Sequence, residues 1–185
     1  MVDTSDKLHK IKKLVDDNCY FVINRPRQYG KTTTLQLLRG VLMPDYAYIR
    51  ISLESISPTI MQEESSFFYE LAVHILFDIR KRNTGVSSEA LENLAMIVSD
   101  YRNGIEMTST TFMDAIGAMN EKNEKRIILG IDEIDQACDS DAFISFLSAL
   151  RDGYLNYNET VFQSVILAGV SDARNLKRKA GNDSE

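Results

Sequence analysis

The chain has 185 residues, of which 44% are apolar and 26% are charged, as expected for one globular domain. No apolar run approaches the ~20 residues of a membrane-spanning helix, and the first residues lack the basic and apolar segments of a secretory signal. The net charge of −6 argues against a dedicated nucleic-acid binder, because such proteins neutralise phosphates with Lys and Arg. Cys19 and Cys138 are too few for a disulfide scaffold, and we expect both to be reduced in a cytoplasmic protein.

Hydrophobic periodicity predicts alternating helices and strands. A first amphipathic helix follows a cap at Thr4 or Ser5. The predicted strands are apolar runs at residues 20–24, 46–53, 126–131 and 164–170. The other predicted helices cover residues 31–42, 65–80, 88–101, 110–119 and, after a cap at Asp139 or Ser140, a stretch ending near residue 150. Because the last two strands are apolar on both faces, we expect an α/β fold in which helices cover both sides of a parallel sheet with four core strands.

The first motif lies between the first strand and the second helix. It comprises Arg25, Pro26, Arg27, Gln28, Tyr29, Gly30, Lys31, Thr32 and Thr33. Its Gly-Lys-Thr part matches the end of a Walker A phosphate loop, although Arg25 stands where that pattern has its first glycine. Backbone N–H groups at the helix start would bind phosphate, Lys31 would reach the β- and γ-phosphates, and Thr32 would ligate Mg²⁺. The alternative interpretation is a solvated basic loop before an ordinary helix.

The second motif is the pair Asp132 and Glu133, which directly follows a strand that is apolar on both faces. Two carboxylates at the end of a buried strand cost free energy unless they serve a cation or a water molecule. In a Walker B arrangement, Asp132 would hold Mg²⁺ through its water and Glu133 would polarise the water that attacks the γ-phosphate. The alternative is a solvated acidic turn that includes Asp135. The two motifs, in this order on strand ends, predict a site for ATP and Mg²⁺.

A third group of polar residues follows the last strand. Ligands of parallel sheets bind outside the carboxyl ends of the strands, so Ser171 could sense the γ-phosphate or position the attacking water. Ser171 could equally cap the next segment, as could Asp172. Arg151 and Arg174 are candidate arginine fingers for a neighbouring subunit, the alternative being solvated surface residues.

These segments together resemble the bacterial AAA-ATPase-like family, which comprises P-loop ATPases related to the AAA and STAND groups. The resemblance rests on residues 24–35, 131–135 and 165–172 and extends over nearly the whole chain. It implies a three-layer P-loop NTPase, with residues 1–185 forming one AAA-like nucleotide-binding domain. In that family an Arg-Pro-Arg segment replaces the glycine-rich opening, and the resemblance suggests that Val2 and Asp3 lie beside the adenine.

The resemblance also implies a fifth strand and a helical lid. Related ATPases arrange five strands in the order 5-1-4-3-2, and the fifth pairs with the strand that precedes the phosphate loop. The residues after Val170 are few and polar, so we expect this chain to lack both the fifth strand and the lid. Residues 20–24 would then form an apolar edge strand that invites pairing with another chain.

We therefore expect an ATP-binding protein that is a slow, Mg²⁺-dependent ATPase in the cytoplasm. One alternative is a regulatory switch that changes its affinity for a protein partner with negligible turnover. Another is a DNA-processing module, which the acidic charge balance disfavours. The sequence contains no guanine-reading Asn-Lys-x-Asp motif, which favours ATP over GTP. We expect an unidentified protein partner or a homo-oligomer, and neither membrane nor nucleic-acid association.

Overall fold

The computed structural model describes residues 4–24, 30–155 and 161–170. Its strands are β1 (Phe21–Asn24), β2 (Ala47–Ser52), β3 (Ile127–Asp132) and β4 (Ser164–Gly169). Its helices are α1 (Thr4–Asp16), α2 (Lys31–Leu42), α3 (Glu64–Lys81), α4 (Glu92–Arg102), α5 (Ser109–Lys122) and α6 (Asp141–Leu155). None of the described helices combines the length and the apolar character that a bilayer crossing requires.

The four strands form one parallel sheet in the order β1-β4-β3-β2. Asn24 at the end of β1 pairs with Gly169 at the end of β4, and Ser52 at the end of β2 pairs with Asp132. The prediction of four parallel strands is confirmed, and their bounds agree with the predicted ones to within one residue. The carboxyl ends of the strands therefore meet at one edge of the sheet, where ligands of α/β proteins bind.

Helices cover both faces of the sheet, as the apolar strands predict. On one face, α1 and α2 enclose a core that includes Leu35, Tyr48 and Ile128. On the other face, a larger core brings α3, α4, α5 and α6 against the sheet. The predicted inner face of α3 is buried throughout, and it consists of Phe68, Leu71, Ala72, Ile75 and Ile79. Each such large apolar side chain stabilises the fold by roughly 1.5–3 kcal/mol when fully buried.

The starts of α1, α3, α4 and α5 differ slightly from the predictions. The carboxylate of Glu63 accepts hydrogen bonds from the N–H groups of Ser65 and Ser66, so α3 begins at Glu64. A 3₁₀ turn precedes α4 and delays its start to Glu92. The helix α1 begins at Thr4, so that Ser5 lies inside its first turn. The predicted cap of α6 is confirmed, because the hydroxyl of Ser140 accepts from the N–H of Phe143 at 3.2 Å.

The outer edge of β2 is closed by side-chain and loop contacts. Asp78 of α3 accepts a hydrogen bond from the N–H of Arg50 at 2.9 Å, and the carbonyl of Thr84 accepts from the N–H of Tyr48 at 2.8 Å. The same Asp78 carboxylate pairs with Arg39 of α2 and with Arg82, each at 3.3 Å. Within the described part of the chain, β1 lies at the opposite edge of the sheet, as predicted. Asp78 thus connects the β2 edge to helices on both faces.

Tyr48 connects the sheet to α2 through a glycine in the neighbouring strand. Its ring is fully buried, and its hydroxyl donates to the carbonyl of Leu35 at 3.1 Å. A Cβ atom at Gly130 of β3 would lie 2.7 Å from the Tyr48 hydroxyl oxygen and 3.2 Å from the ring atom Cε2. Burial raises the pKa of Tyr48, which keeps the phenol neutral and able to donate. Gly130 is therefore required by the aromatic ring that crosses it.

Candidate functional site

The residue before α2 is a glycine, which has no side chain that could cap the backbone N–H groups of the first helical turn. Gly30 is the residue before the helix, and it has a left-handed backbone with φ of 71°, which glycine adopts at little cost. The carbonyl of Gly30 accepts from both the N–H and the hydroxyl of Thr34, each at 2.8 Å. The first turn of a helix has N–H donors without intrahelical partners, and Gly30 supplies no side-chain cap for them, so this helix start joins such donors to the positive end of the helix dipole.

A cavity of about 460 Å³ opens at this helix start, at the carboxyl edge of the sheet. Its lining residues come from three places in the chain: Gly30, Lys31, Thr32 and Thr33 at the start of α2, Glu54 after β2, and Glu133 and Gln136 after β3. Lys31 is 6% exposed, whereas Thr32 and Thr33 are exposed. The fold thus brings together the Gly-Lys-Thr part of the first motif and the second carboxylate of the second motif.

Asp132 is buried beside this cavity and does not line it. It is 3% exposed, so the interpretation as a solvated acidic turn does not describe this residue. Alternation along β3 places Asp132 on the same face as Ile128, which packs in the core under α2. One oxygen, Oδ1, accepts from the N–H of Glu133 at 3.1 Å, and the other, Oδ2, lies 3.8 Å from Nη1 of Arg50. The carboxylate therefore points to the side of the sheet on which α2 lies.

Glu133 has a strained backbone. Its φ is 55°, in the left-handed region that costs a residue with a Cβ atom roughly 1–2 kcal/mol. Asn18 is the other non-glycine residue with positive φ among the described residues, and asparagine is one of the residues that tolerate this conformation. The conformation ends β3 and begins the 3₁₀ turn Ile134–Ala137, while the Glu133 side chain lines the cavity. Such strain is typical of functional sites.

Asp135 has a structural contact that links the ends of two strands. Its Oδ2 accepts from the N–H of Val170 at 2.6 Å, immediately after β4. The backbone of β4 approaches this turn so closely that a Cβ atom at Gly169 would lie 2.6 Å from Cγ1 of Ile134. Asp135 therefore holds the end of β4 beside the end of β3, and it is not part of a freely solvated turn.

Several of the predicted site residues lie outside the described residues. These are Val2, Asp3, Arg25, Pro26, Arg27, Gln28, Tyr29, Ser171, Asp172 and Arg174. Arg151 is described and exposed, and it lines an apolar groove between α6 and β1 together with Tyr20 and Tyr154. That groove shares no lining residue with the cavity at Lys31.

Sequence reasoning missed three residues of this region: Glu54, Gln136 and Arg50. Glu54 follows the end of β2, so the rule that sites lie beyond the carboxyl ends of parallel strands could have identified it. Gln136 enters the cavity through the turn after Glu133, whose geometry had no sequence signal. Arg50 looked like an ordinary polar residue of an alternating strand, and its burial depends on contacts with distant elements.

The donor set fits a triphosphate with Mg²⁺. The first-turn N–H groups of α2 and the Lys31 ammonium are suited to phosphate oxygens. The hydroxyl of Thr32, which lines the cavity, and the carboxylate of Asp132, which is buried beside it, are the hard oxygen ligands that Mg²⁺ prefers. Within the described ranges, no group of three or more His, Cys, Asp or Glu residues could hold a metal ion by itself. A Mg²⁺ ion bound mainly by substrate phosphates and water needs no such cluster.

A scan against models of known protein families finds no match to this chain, and a search of curated proteins finds no significant match. The class of protein is therefore defined by its architecture. It is an α/β protein with a four-stranded parallel sheet that helices cover on both faces.

Proposed function

We propose that this chain is a P-loop protein of the AAA-ATPase-like type, which binds ATP with Mg²⁺ and hydrolyses it slowly. The observation that carries this proposal is the cavity of about 460 Å³ at the start of α2, which both Lys31 and Glu133 line and where Gly30 provides no side-chain cap. The N–H groups of a first helical turn and the helix dipole favour negative charge, and Lys31 adds a cation at the same place.

Each residue has a distinct role in this proposal. The N–H groups of the first turn of α2 bind phosphate oxygens, and Lys31 neutralises charge on the β- and γ-phosphates. Thr32 and Asp132 hold Mg²⁺, which supplies stabilisation of the charge on the transferring phosphoryl group when it is bound. The position of Asp132 supports this role, because it ends β3 directly before Glu133, which lines the cavity.

Glu133 orients the attacking water in this scheme. Its carboxylate lines the same cavity as Lys31 and can accept a hydrogen bond from a water placed in line with the leaving group. The left-handed backbone at Glu133 supports the role, because strained backbone conformations cluster at functional sites.

Isothermal titration with ATP and Mg²⁺ tests the phosphate site. Replacement of Lys31 by Ala should raise the dissociation constant at least tenfold, about 1.4 kcal/mol, because it removes the ammonium that faces the phosphates. Lys122→Ala is the matched control, since it removes a cation from an exposed ion pair with Glu92 on another face. Equal affinities for the parent and the Lys31 variant would contradict the assignment.

Phosphate release under steady-state conditions tests the second part of the proposal. Slow release that requires Mg²⁺ supports an ATPase. Binding without measurable release would instead assign the chain to nucleotide-dependent switches, which act through a change in conformation or partner affinity.

A further inference from the structure

Arg50 lies beside Asp132, the candidate metal ligand, and its guanidinium has nitrogen atoms without hydrogen-bond partners among the described residues. It belongs to β2 and pairs in register with Gly130 of β3, so its side chain lies next to the strand that ends in Asp132. The side chain is only 14% exposed. Its Nε and Nη1 atoms are buried, and neither has a hydrogen-bond partner in the part of the chain that the structure describes. Among the described residues, Asp132 pairs with this guanidinium, with Oδ2 at 3.8 Å from Nη1.

The neighbouring Arg39 shows how a structural arginine is held in this fold. Its guanidinium donates to the carboxylate of Asp78 at 3.3 Å and to the carbonyl of Asn83 at 2.6 Å. Arg50 and Asp132 face each other without such a hydrogen bond. Burying an arginine without making its hydrogen bonds costs free energy. Any favourable effect of Arg50 at this position must therefore come mainly from its positive charge.

We propose that Arg50 neutralises Asp132 when no Mg²⁺ is bound, so that the site accepts ATP without the metal. This inference rests on the proposed function of the cavity at Lys31. Asp132 is buried and adjacent in sequence to Glu133, which lines the cavity, so an uncompensated charge on Asp132 would repel phosphates bound there, in a place where screening is weak. Arg50 supplies positive charge beside the carboxylate when no metal is bound, and Mg²⁺ would supply it when present. Arg50 is a positioning residue in this account, since it acts through Asp132 and does not line the cavity.

The proposal predicts a metal-dependent effect of replacing Arg50. In EDTA, Arg50→Met should raise the dissociation constant for ATP about tenfold or more, because the buried carboxylate is then uncompensated. In saturating Mg²⁺ the same variant should bind ATP within about twofold of the parent, because the metal replaces the missing charge. Arg50→Lys, which keeps a cation, should retain most of the affinity in EDTA.

A double variant tests whether Arg50 acts through Asp132. When Arg50→Met is combined with Asp132→Asn, neither charge remains, and ATP affinity in EDTA should return to within about twofold of the parent. Removal of both partners of a buried pair is also better tolerated than removal of one, so this variant should fold even if Arg50→Met does not. If Arg50→Met does not fold, the double variant is compared with Asp132→Asn in EDTA. Asp132→Asn keeps the charge of Arg50 without its carboxylate partner, so we expect it to bind ATP more tightly than the double variant does.

Titrations of the parent, the variants and Arg39→Met, each in EDTA and in Mg²⁺, complete the experiment. Arg39→Met controls for the loss of a partly buried arginine, and its ratio of affinities in the two conditions should equal that of the parent. The inference would be overturned by an equal loss of affinity with and without Mg²⁺ in Arg50→Met, by no loss in EDTA, or by a double variant that stays weak. A parent that does not bind ATP in Mg²⁺ would instead refute the proposed function itself.

Discussion

Replacement of Gly130 by Ala should destabilise the sheet where it meets α2. The added Cβ atom would lie 2.7 Å from the hydroxyl oxygen of Tyr48 and 3.2 and 3.3 Å from two ring carbons, and the ring is fully buried. Overpacking of a rigid core costs about 1–3 kcal/mol, and displacement of the Tyr48 hydroxyl from the Leu35 carbonyl adds about 1 kcal/mol. Alanine recovers up to about 1 kcal/mol relative to glycine in a strand, so the net loss should be about 1–3 kcal/mol.

Urea unfolding followed by circular dichroism measures this loss. Gly117→Ala is the matched control, because no atom lies within 4 Å of its added Cβ and it lies inside α5, where alanine should stabilise by about 0.8–1.0 kcal/mol. Combining Gly130→Ala with Tyr48→Phe removes the closest clashing atom and should recover part of the loss. If Gly130→Ala were as stable as the parent, Tyr48 would not be fixed across β3 as the structure has it.

Two further predictions concern Glu133. Glu133→Gln should bind ATP with nearly the parent affinity but release phosphate about 100-fold more slowly, because the amide cannot take a proton from water; unchanged phosphate release would assign the water to another residue. Glu133→Asn should raise the free energy of unfolding, measured in urea, by up to about 1 kcal/mol, because asparagine tolerates the left-handed backbone better than glutamate does. A lower free energy of unfolding would mean that Glu133 makes compensating contacts.

The architecture was predictable because the local signals agree with the global fold. Apolar strands such as Ile127–Asp132 and Ser164–Gly169 are buried on both faces, which is the pattern of a parallel sheet. The inner face of α3 and the cap at Ser140 also follow from short-range rules. Helix ends were less predictable, since the start of α3 depends on an unusual glutamate cap at Glu63.

The site was only partly predictable. Gly30, Lys31 and Glu133 carry motif signals, and they do line one cavity. Arg50 carries none: alternation with Ile49 and Ile51 is typical of a strand with one face toward solvent, whereas α2 covers the face that carries Tyr48 and Arg50. Its burial depends on the pairing of β2 with β3 and on the packing of α2, which are long-range features that no local pattern encodes.

A crystal structure with a non-hydrolysable ATP analogue and Mg²⁺ would show whether the cavity at Lys31 is a nucleotide site. We expect the phosphates to contact the first-turn N–H groups of α2 and the ammonium of Lys31, where Thr32 and Asp132 would hold the metal. An analogue bound elsewhere on the molecule, or no bound analogue at saturating concentration, would contradict it.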